Sequence, residues 1–434
     1  MKPSAGSKDM EAKELSCDLM VIGTGMAGMA AGLFAVGRGL SVVMAGSLGG
    51  IDYTTGYLDL LGVHPLKPRQ RCTDPWQGLE ALARDCPGHP YSRLGPGRIS
   101  DAFEEFTSLM SGVGLPFDGR KNVNVAALTA AGTTKLTYRV PRSMWKGVLA
   151  LEDKAPCLIV GLEGLKGFSS RQIVELNKAA WPDLRGVSIP FPGFRGELYP
   201  EHLAWALSDP ELVEALTERV RPNINGEGFV GLPAVLGPAQ GHDVVGRLEA
   251  LLGVGVFEIP TLPPSIPGLR MRNAIESFLA ASGVTVLSQK MALNGTELGD
   301  GRLAVQVGGD AAEVEVRAGA VLHAGGRFFG KGLRADRKRV FEPVFDLPVV
   351  QPQERSQWHD PDFYISQGHP LNQAGLECDR HFRPLGSNGR PWSERLFAAG
   401  SILAHQDWMR SRCGAGLSIA TAHAVVTGLV KGRT

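Results

Sequence analysis

The first strong hydrophobic pattern along the chain is the unbroken apolar run Leu19-Met20-Val21-Ile22, preceded by Asp18. A short continuous run bounded by turn residues predicts a strand buried on both faces. Residues 23–28 follow as a glycine-rich turn. Met26 to Gly37 is rich in Ala, Leu, Phe and Val, which predicts a buried helix. Leu40-Ser41-Val42-Val43-Met44 predicts a second strand. Strand, turn, helix and strand within about 30 residues form a βαβ unit, the size of a mononucleotide-binding half.

From Pro65 to Pro267 this regularity fades. Prolines recur, and helical patterns alternate with loops. One helix start is explicit, with Asp209 placed to cap and Pro210 at the first helical position of a segment running to Val220. The stretch predicts an inserted, irregular α+β region. Order returns at Gly268. Leu269 to Ala281 predicts an amphipathic helix and Val284 to Leu287 a strand. Leu303 to Val307 and Glu313 to Val316 alternate around Gly308-Gly309-Asp310, a hairpin signal. Ala320 to Ala324 predicts a further strand, Leu396 to Ala399 the last strand, and Leu417 to Val430 the last helix. The expected division is a flexible tail (1–15), a nucleotide-binding domain in three parts (16–64, 268–330 and 376–434), and an inserted domain (65–267) to which 331–375 returns.

Composition narrows the class. Hydrophobic residues make up 43% of 434, enough for a sizeable core and too many for a disordered chain. Lys plus Arg is 45 against 44 for Asp plus Glu, so no global field draws in nucleic acid or an anionic membrane. No apolar run reaches the roughly 18 residues that a membrane span needs. Met1 to Leu15 is polar and mixed in charge, without the apolar core of a signal peptide. Cys17, Cys72, Cys86, Cys157, Cys378 and Cys413 are widely scattered. That excludes a local CxxC redox pair and the close thiolate runs of iron–sulfur sites, and fits a reducing cytosol. No metal site is expected.

The turn carries the chemistry. Gly23-Thr24-Gly25-Met26-Ala27-Gly28 is GxGxxG between a strand and a helix. The first glycine permits the tight turn, the second lets a phosphate approach, and the third lets helix and strand pack closely. The helix N-terminus adds free N–H groups and a positive dipole end. A plain βα turn would use the same glycines. The dinucleotide fingerprint also expects an acidic residue about 20 positions on, for the adenosine ribose. Here that window reads Val42-Val43-Met44-Ala45-Gly46-Ser47. A charge-assisted bond of that kind contributes about 1.5–3 kcal/mol. Its absence argues against NAD and ordinary FAD binding, and would be harmless to FMN, which has no adenosine. Gly161, Gly164 and Gly167 follow a strand-like segment but have the wrong spacing for a second nucleotide site.

Several further segments resemble one family. They are Gly56-Tyr57-Leu58-Asp59-Leu60-Leu61; Glu258 to Ser265 with Gly268 and Arg270; Gly325-Gly326-Arg327 to Leu333; Glu342-Pro343-Val344-Phe345 with Leu347-Pro348-Val349; and Leu396 to Ser401 followed by Asp407 and Cys413-Gly414-Ala415-Gly416. Together with the turn they resemble the B-type, FMN-containing flavoprotein subunit of anaerobic glycerol-3-phosphate dehydrogenases, in order along almost the whole chain. The resemblance implies a Rossmann-like flavin-binding domain of the glutathione-reductase/fumarate-reductase type with an inserted α+β domain. It implies FMN as cofactor, with FAD the alternative, and adds Gly325, Gly400 and Ser401 to the cofactor site. FAD enzymes of this superfamily usually carry an acidic residue where Ser401 stands. It also implies a quinone-linked complex in which a sister flavoprotein and an iron–sulfur, membrane-anchoring subunit take part. Electrons would pass from sn-glycerol 3-phosphate, leaving glycerone phosphate, towards menaquinone. The location implied is cytoplasmic, peripheral on the inner face of the membrane through a partner.

A bound flavin needs its N1–C2=O edge stabilised on reduction, and the N–H groups of Gly414, Gly416 and Leu417 at the last helix are candidates. A phosphorylated polyol needs fixed cations, preferably Arg. Arg270, Arg272, Arg327, Arg410 and Arg412 lie beside the flavin-type motifs. The run Lys331, Arg334, Arg337, Lys338 and Arg339 reads as a solvated helix face. Alcohol oxidation needs a base, for which His369 is the candidate, while His323 within a strand reads as structural. Cys413 stands where a helix N-terminus tends to lower a thiol pKa, but with no second cysteine nearby it reads as a tightly packed side chain rather than a redox group. The catalytic set expected is His369, Arg270 and Arg327. Two other functions remain open: a stand-alone FAD-dependent dehydrogenase or reductase of another small molecule, and an electron-relay or scaffold subunit without a substrate site.

Overall fold

The computed structural model describes residues 13–47, 49–194, 196–239 and 241–432, without the side chain of His242. Of the expected tail, residues 1–12 lie outside the described residues. Lys13 to Leu15 already belong to the first strand, paired with Val314 to Val316. The chain opens with β1 (Lys13–Ile22), α1 (Met26–Val36) and β2 (Val42–Gly46). Helices α2 (Pro75–Asp85) and α3 (Pro96–Gly112) follow. A middle unit alternates α4 (Arg142–Asp153), β3 (Cys157–Leu162), α5 (Ser170–Asn177), β4 (Leu184–Ile189), α6 (Pro210–Val220), β5 (Phe229–Pro233), α7 (Gly241–Leu252) and β6 (Gly255–Ile259). The chain then returns through α8 (Ile266–Ala281), β7 (Thr285–Ser288), β8 (Met291–Glu297), β9 (Leu303–Gly308) and β10 (Ala312–His323). It ends with β11 (Leu396–Ala398), the short α9 (Trp408–Ser411) and α10 (Gly414–Lys431).

The first sheet has seven strands, in the order β7-β2-β1-β10-β9-β8, with β11 beside the end of β10. β7, β2, β1, β10 and β11 run parallel, while β9 and β8 return as an antiparallel meander. The second sheet, β6-β5-β3-β4, is parallel throughout. The insertion is therefore more regular than its proline-rich loops imply. β3 reads Cys-Leu-Ile-Val-Gly-Leu and is buried at every position, as a parallel strand covered on both faces must be.

Differences from the sequence pattern have local causes. The strands expected at 313–316 and 320–324 are one strand, β10, because Arg317 and Ala318 continue its ladder against β1 and β9. α8 begins at Ile266, three residues early, because the Ser265 hydroxyl caps it by accepting the Gly268 N–H at 3.1 Å. α6 starts as expected, with Asp209 accepting the Glu211 N–H at 2.9 Å. The basic run at 331–339 is not a helix face. Arg334–Ala335 pairs with Val340–Phe341, and Asp336 closes the turn by accepting the Lys338 and Arg339 N–H groups at 2.6 and 2.8 Å.

α1 is apolar on all sides because it lies inside the molecule, in one core with the first sheet and α10. Phe103 and Phe106 of α3, Leu79 and Leu82 of α2, and Leu333, Val344 and Phe345 join this same core rather than that of the second sheet. Arg38, just beyond α1, ties three helices together. Its guanidinium donates to Glu105 of α3 at 2.6 and 3.0 Å and to Thr427 of α10 at 3.0 Å. Glu105 also meets His423 Nε2 at 2.9 Å.

Between α2 and α3 lies His89, 3% exposed. Its Nδ1 accepts the Tyr91 N–H at 3.1 Å, and its Nε2 is buried without a partner. Burial, reinforced by His64, His405 and Arg93, pulls its pKa from 6.5 down to about 3. Above pH 6.5 both folded and unfolded chains hold the ring neutral. Between 6.5 and 3 the unfolded chain takes up a proton that the folded chain refuses, so stability falls as pH falls. The slope reaches at most about 1.4 kcal/mol per pH unit. We expect His89→Gln to flatten the acid limb of the melting temperature against pH below 6.5; parallel curves for the two proteins would refute this.

Candidate functional site

The glycine-rich turn is held by backbone against backbone. The Gly23 N–H donates to Ala45 O of β2 at 2.7 Å. Gly23 has φ +109°, and a Cβ there would overlap Ala324 O at the end of β10. A Cβ on Gly28 would overlap Gly23 O. Both positions admit only hydrogen. Gly25 differs. Its backbone is extended (φ −81°, ψ −171°), and a Cβ there would meet no atom of the described residues within 4 Å. The first bond of α1 is Met29 N–H to Gly25 O at 2.9 Å. The N–H groups of Met26, Ala27 and Gly28 precede it and are the first donors of the helix, the kind of group that an anion accepts from.

The end of β2 closes over this turn. Thr24 Oγ1 donates to Ser47 O at 2.7 Å. A Cβ on Gly46 would lie 2.7 Å from both Thr24 N and Oγ1, and one on Gly49 would overlap Thr24 O. The next acidic residue, Asp52, is buried in a short 3-10 turn, Gly50–Tyr53, and pairs with Arg272 of α8. Burial raises its carboxyl above the usual range despite Arg272. Gly268 lets α8 press on this turn, since a Cβ there would overlap Ile51 O.

The other wall comes from the far end of the chain. After β10 the backbone coils on itself, and Cβ atoms on Gly330 and Gly332 would overlap the carbonyls of Gly325 and Gly326. Gly400 has φ +77°, donates its N–H to Thr421 Oγ1 at 2.9 Å, and lies so near α1 that a Cβ would sit 2.7 Å from Ala27 Cβ. Ser401 follows, its carbonyl accepting from Arg327 Nε at 2.9 Å. Gly23, Thr24, Gly25, Met26, Ala27, Gly28 and Gly400 are thus brought together, with Gly325 and Ser401 on the adjoining loop.

At α10 the expected donors are partly spoken for. The Gly416 N–H donates to Asp59 O and the Leu417 N–H to Cys413 O, both at 2.8 Å. The space at Gly416 is filled by protein, because a Cβ there would overlap Tyr91 Oη. Among the described residues, the N–H groups left at this helix end are those of Gly414 and Ala415. Cys413 is fully buried, and burial, then Asp59 and Asp407, pushes its thiol well up. This agrees with the tightly packed thiol expected there, since desolvation outweighs the dipole of the helix end.

The arginines do not converge as a set. Arg270 is buried, with Nη1 and Nη2 on Glu258 at 2.6 and 2.9 Å and Nε on Gly237 O at 2.9 Å. Arg327 donates to the carbonyls of Ser401, Asn372 and Gln406, pinning three loops. Burial pulls its pKa down to about 10, against the pull of Asp407. Arg272 pairs with Asp52, and Arg410 with Asp407 at 3.4 Å. Only Arg412 of the five has no ion pair or side-chain hydrogen bond among the described residues. His369 lies in the loop whose Gly368 packs on Asp407 and Arg410. Its Nδ1 accepts the Asp360 N–H at 3.0 Å, so Nε2 carries the proton and the ring donates rather than accepts. His323 is structural, as expected. It is buried at 3.1 Å from Glu342, which also accepts the Val344 and Phe345 N–H groups.

Asp52, Asp59, Tyr91 and Gln406 shape the site and were missed by residue-type reasoning. Asp59 alone had a signal, its place within Gly56 to Leu61.

The glycines separate two effects. Gly25→Val adds a side chain in open space on a backbone that any residue adopts. It should leave a folded chain melting within a few degrees of the cofactor-free parent, but with nucleotide affinity reduced by about tenfold or more. Gly28→Val should fail to fold. Equal chromophore content in the parent and Gly25→Val after purification would remove the turn from the binding site.

Comparison with known proteins places the chain in a family. The family described as FAD binding domain matches residues 18–417. The B-type subunit of anaerobic glycerol-3-phosphate dehydrogenase from Vibrio vulnificus is 26% identical over 95% of this chain and 96% of its own length. Its counterpart from Pectobacterium carotovorum is 30% identical over 95% and 98%. Among solved structures, the 3-ketosteroid-Δ4-(5α)-dehydrogenase of Rhodococcus jostii aligns over 98% of this chain and 99% of its own, at 12% identity and a TM-score of 0.40. A flavocytochrome c3 fumarate reductase aligns over 96% and 78%, at 8% identity and a TM-score of 0.42. The chain belongs to the FAD-binding domain family and to the family of B-type subunits of anaerobic glycerol-3-phosphate dehydrogenases, and is a flavin-binding oxidoreductase subunit.

Proposed function

We propose that this chain is the FMN-carrying subunit of a quinone-linked dehydrogenase that oxidises sn-glycerol 3-phosphate to glycerone phosphate. The observation that carries the cofactor assignment is the closed end of β2. Thr24, bonded to Ser47 O, occupies the space beside Gly46, and the backbone at Gly49 packs on the Thr24 carbonyl. No carboxylate stands there for an adenosine ribose, and Asp52 is committed to Arg272. The family's name refers to FAD, and FMN is our narrower reading.

The residues present fit a flavin phosphate. Met26, Ala27 and Gly28 would hold it by their N–H groups, with Gly25 leaving room. Bound flavin supplies a two-electron acceptor. The N–H groups of Gly414 and Ala415, at the positive end of α10, are the donors available to negative charge developing beside them. Gln406 and Arg327 fix the loops around that point. His369 would hold its Nε2 proton as a donor to a substrate oxygen. The six cysteines are free and scattered, so onward transfer needs an iron–sulfur partner together with the sister flavoprotein. Among the described residues no helix is long and apolar enough to cross a membrane, which suits peripheral attachment through that partner.

A second reading is an electron-relay subunit. The commitment of Arg270 and Arg327 to protein partners, and of His369 Nδ1 to a backbone N–H, favours it. Cofactor released from the purified chain should have the mass of FMN, and finding only FAD would overturn that assignment. Anaerobic glycerol 3-phosphate should bleach the flavin absorbance of the isolated chain. Bleaching only after the sister subunit is added would select the relay.

A further inference from the structure

Among the described residues, Arg412 is the one arginine beside the flavin motifs that no ion pair or side-chain hydrogen bond engages, and its surroundings are built around it. It follows α9 in the left-handed region, at φ 51° and ψ 60°, two residues before α10 begins. A residue other than glycine in that conformation is disfavoured and is kept where the surroundings enforce it. The enforcing contact is a hairpin over residues 62–72. The Gly62 N–H donates to Ser411 O and Arg412 O at 3.0 and 3.1 Å, and the Val63 N–H donates to Ser411 O at 3.0 Å. A Cβ on Gly62 would lie 2.9 Å from Arg412 Cβ, so the two backbones meet where only glycine fits.

The same hairpin carries two more cations. Val63 bridges to Arg71, and the His64 N–H donates to Gln70 O at 3.0 Å. Arg69 closes the turn at the tip of this hairpin and Arg71 stands on its returning arm, both exposed. Buried Asn124 closes the base, its Nδ2 donating to Leu61 O at 2.8 Å and to Cys72 O at 2.7 Å. Among the described residues neither Arg69 nor Arg71 has an ion pair or side-chain hydrogen bond. Burial lowers the pKa of Arg412, and the positive charges of Arg69 and Arg71 lower it further while Asp59 opposes them. Asp59 is the carboxylate in reach, and Lys135 Nζ holds it at 2.5 Å. Two exposed cations thus stand on the hairpin whose Gly62 packs on Arg412, and none of the three has an ion pair or side-chain hydrogen bond among the described residues.

We propose that Arg69, Arg71 and Arg412 form an anion site for the phosphate monoester end of a small substrate. A phosphate dianion presents three equivalent oxygens, and guanidinium forks bind such oxygens in pairs. It would remove the repulsion among the three cations. This inference rests on the reading that the substrate is phosphorylated, and it names the residues that recognise the phosphate.

The test is calorimetric titration of the full chain with its bound flavin, at constant ionic strength, using inorganic phosphate, sn-glycerol 3-phosphate and glycerol. Phosphate and glycerol 3-phosphate should bind and glycerol should not. Arg412→Gln and the double variant Arg69→Gln/Arg71→Gln should each weaken phosphate binding by about 10- to 100-fold, as loss of a charge-assisted bond implies. The double variant changes exposed positions only, so it decides the matter even if Arg412→Gln does not fold. Unchanged affinity in the double variant overturns the site. Failure of phosphate to bind, with capture by phosphatidylglycerol vesicles that the double variant abolishes, also overturns it, in favour of a lipid headgroup surface. Arginine-dependent phosphate binding without flavin reduction by glycerol 3-phosphate upholds the anion site and removes glycerol 3-phosphate as the substrate.

Discussion

The arrangement depends on one crossing of main chains, where Gly23 and Gly28 meet each other and the end of β10 at Ala324. No side chain fits at either glycine. Because the contact is backbone on backbone, it sets the start of α1 relative to β1 and β10 with little slack. At Gly25, between them, the space where a side chain would grow is open among the described residues. Two tight glycines and one open one are what an anion site at a helix end needs. The tight pair holds the frame rigid, and the open position leaves the N–H groups accessible. The rest of the first sheet supports this crossing, since β1 is paired along its length with β10 and at its inner end with β2.

The fold was legible in the sequence wherever apolar runs were long and uninterrupted. The βαβ unit, the returning helix at 266–281 and the last helix all lay close to their patterns. Errors came where small residues break a pattern without breaking a ladder. Ala318 and Gly319 looked like a gap between two strands and are the middle of one. The proline-rich insertion hid a regular parallel sheet because its order lies in short buried strands such as β3, separated by long loops. For chains of this kind, hydrophobic continuity locates the strands, and pairing alone shows which of them are continuous.

The site was legible in part, and the division follows a physical line. Glycine positions could be read because their constraint is local. Arginine roles could not, because whether a cation is free depends on partners far off in sequence. Arg270 meets Glu258 twelve positions away, whereas Arg327 is consumed by carbonyls at Asn372, Ser401 and Gln406. Residue type offered five arginines and put Arg270 and Arg327 first. Burial and pairing reduce them to one. The helix-end thiol follows the same rule, since a dipole argument at Cys413 ignores the desolvation that dominates it.

An absent carboxylate and a filled space are different kinds of exclusion. A site that merely lacks the ribose acceptor loses one interaction of about 1.5–3 kcal/mol and still admits the adenosine. At Gly46 the Thr24 side chain already lies within contact of where a larger residue would grow, and Ser47 holds it there by a hydrogen bond. Restoring an acid at that position would require moving the glycine-rich turn itself, which the crossing at Gly28 opposes. The feature that frames the phosphate site and the feature that closes the end of β2 are thus one piece of structure. On the proposed FMN reading, a single substitution at Gly46 could not restore a ribose acceptor, because the packing of the turn leaves a side chain there no space.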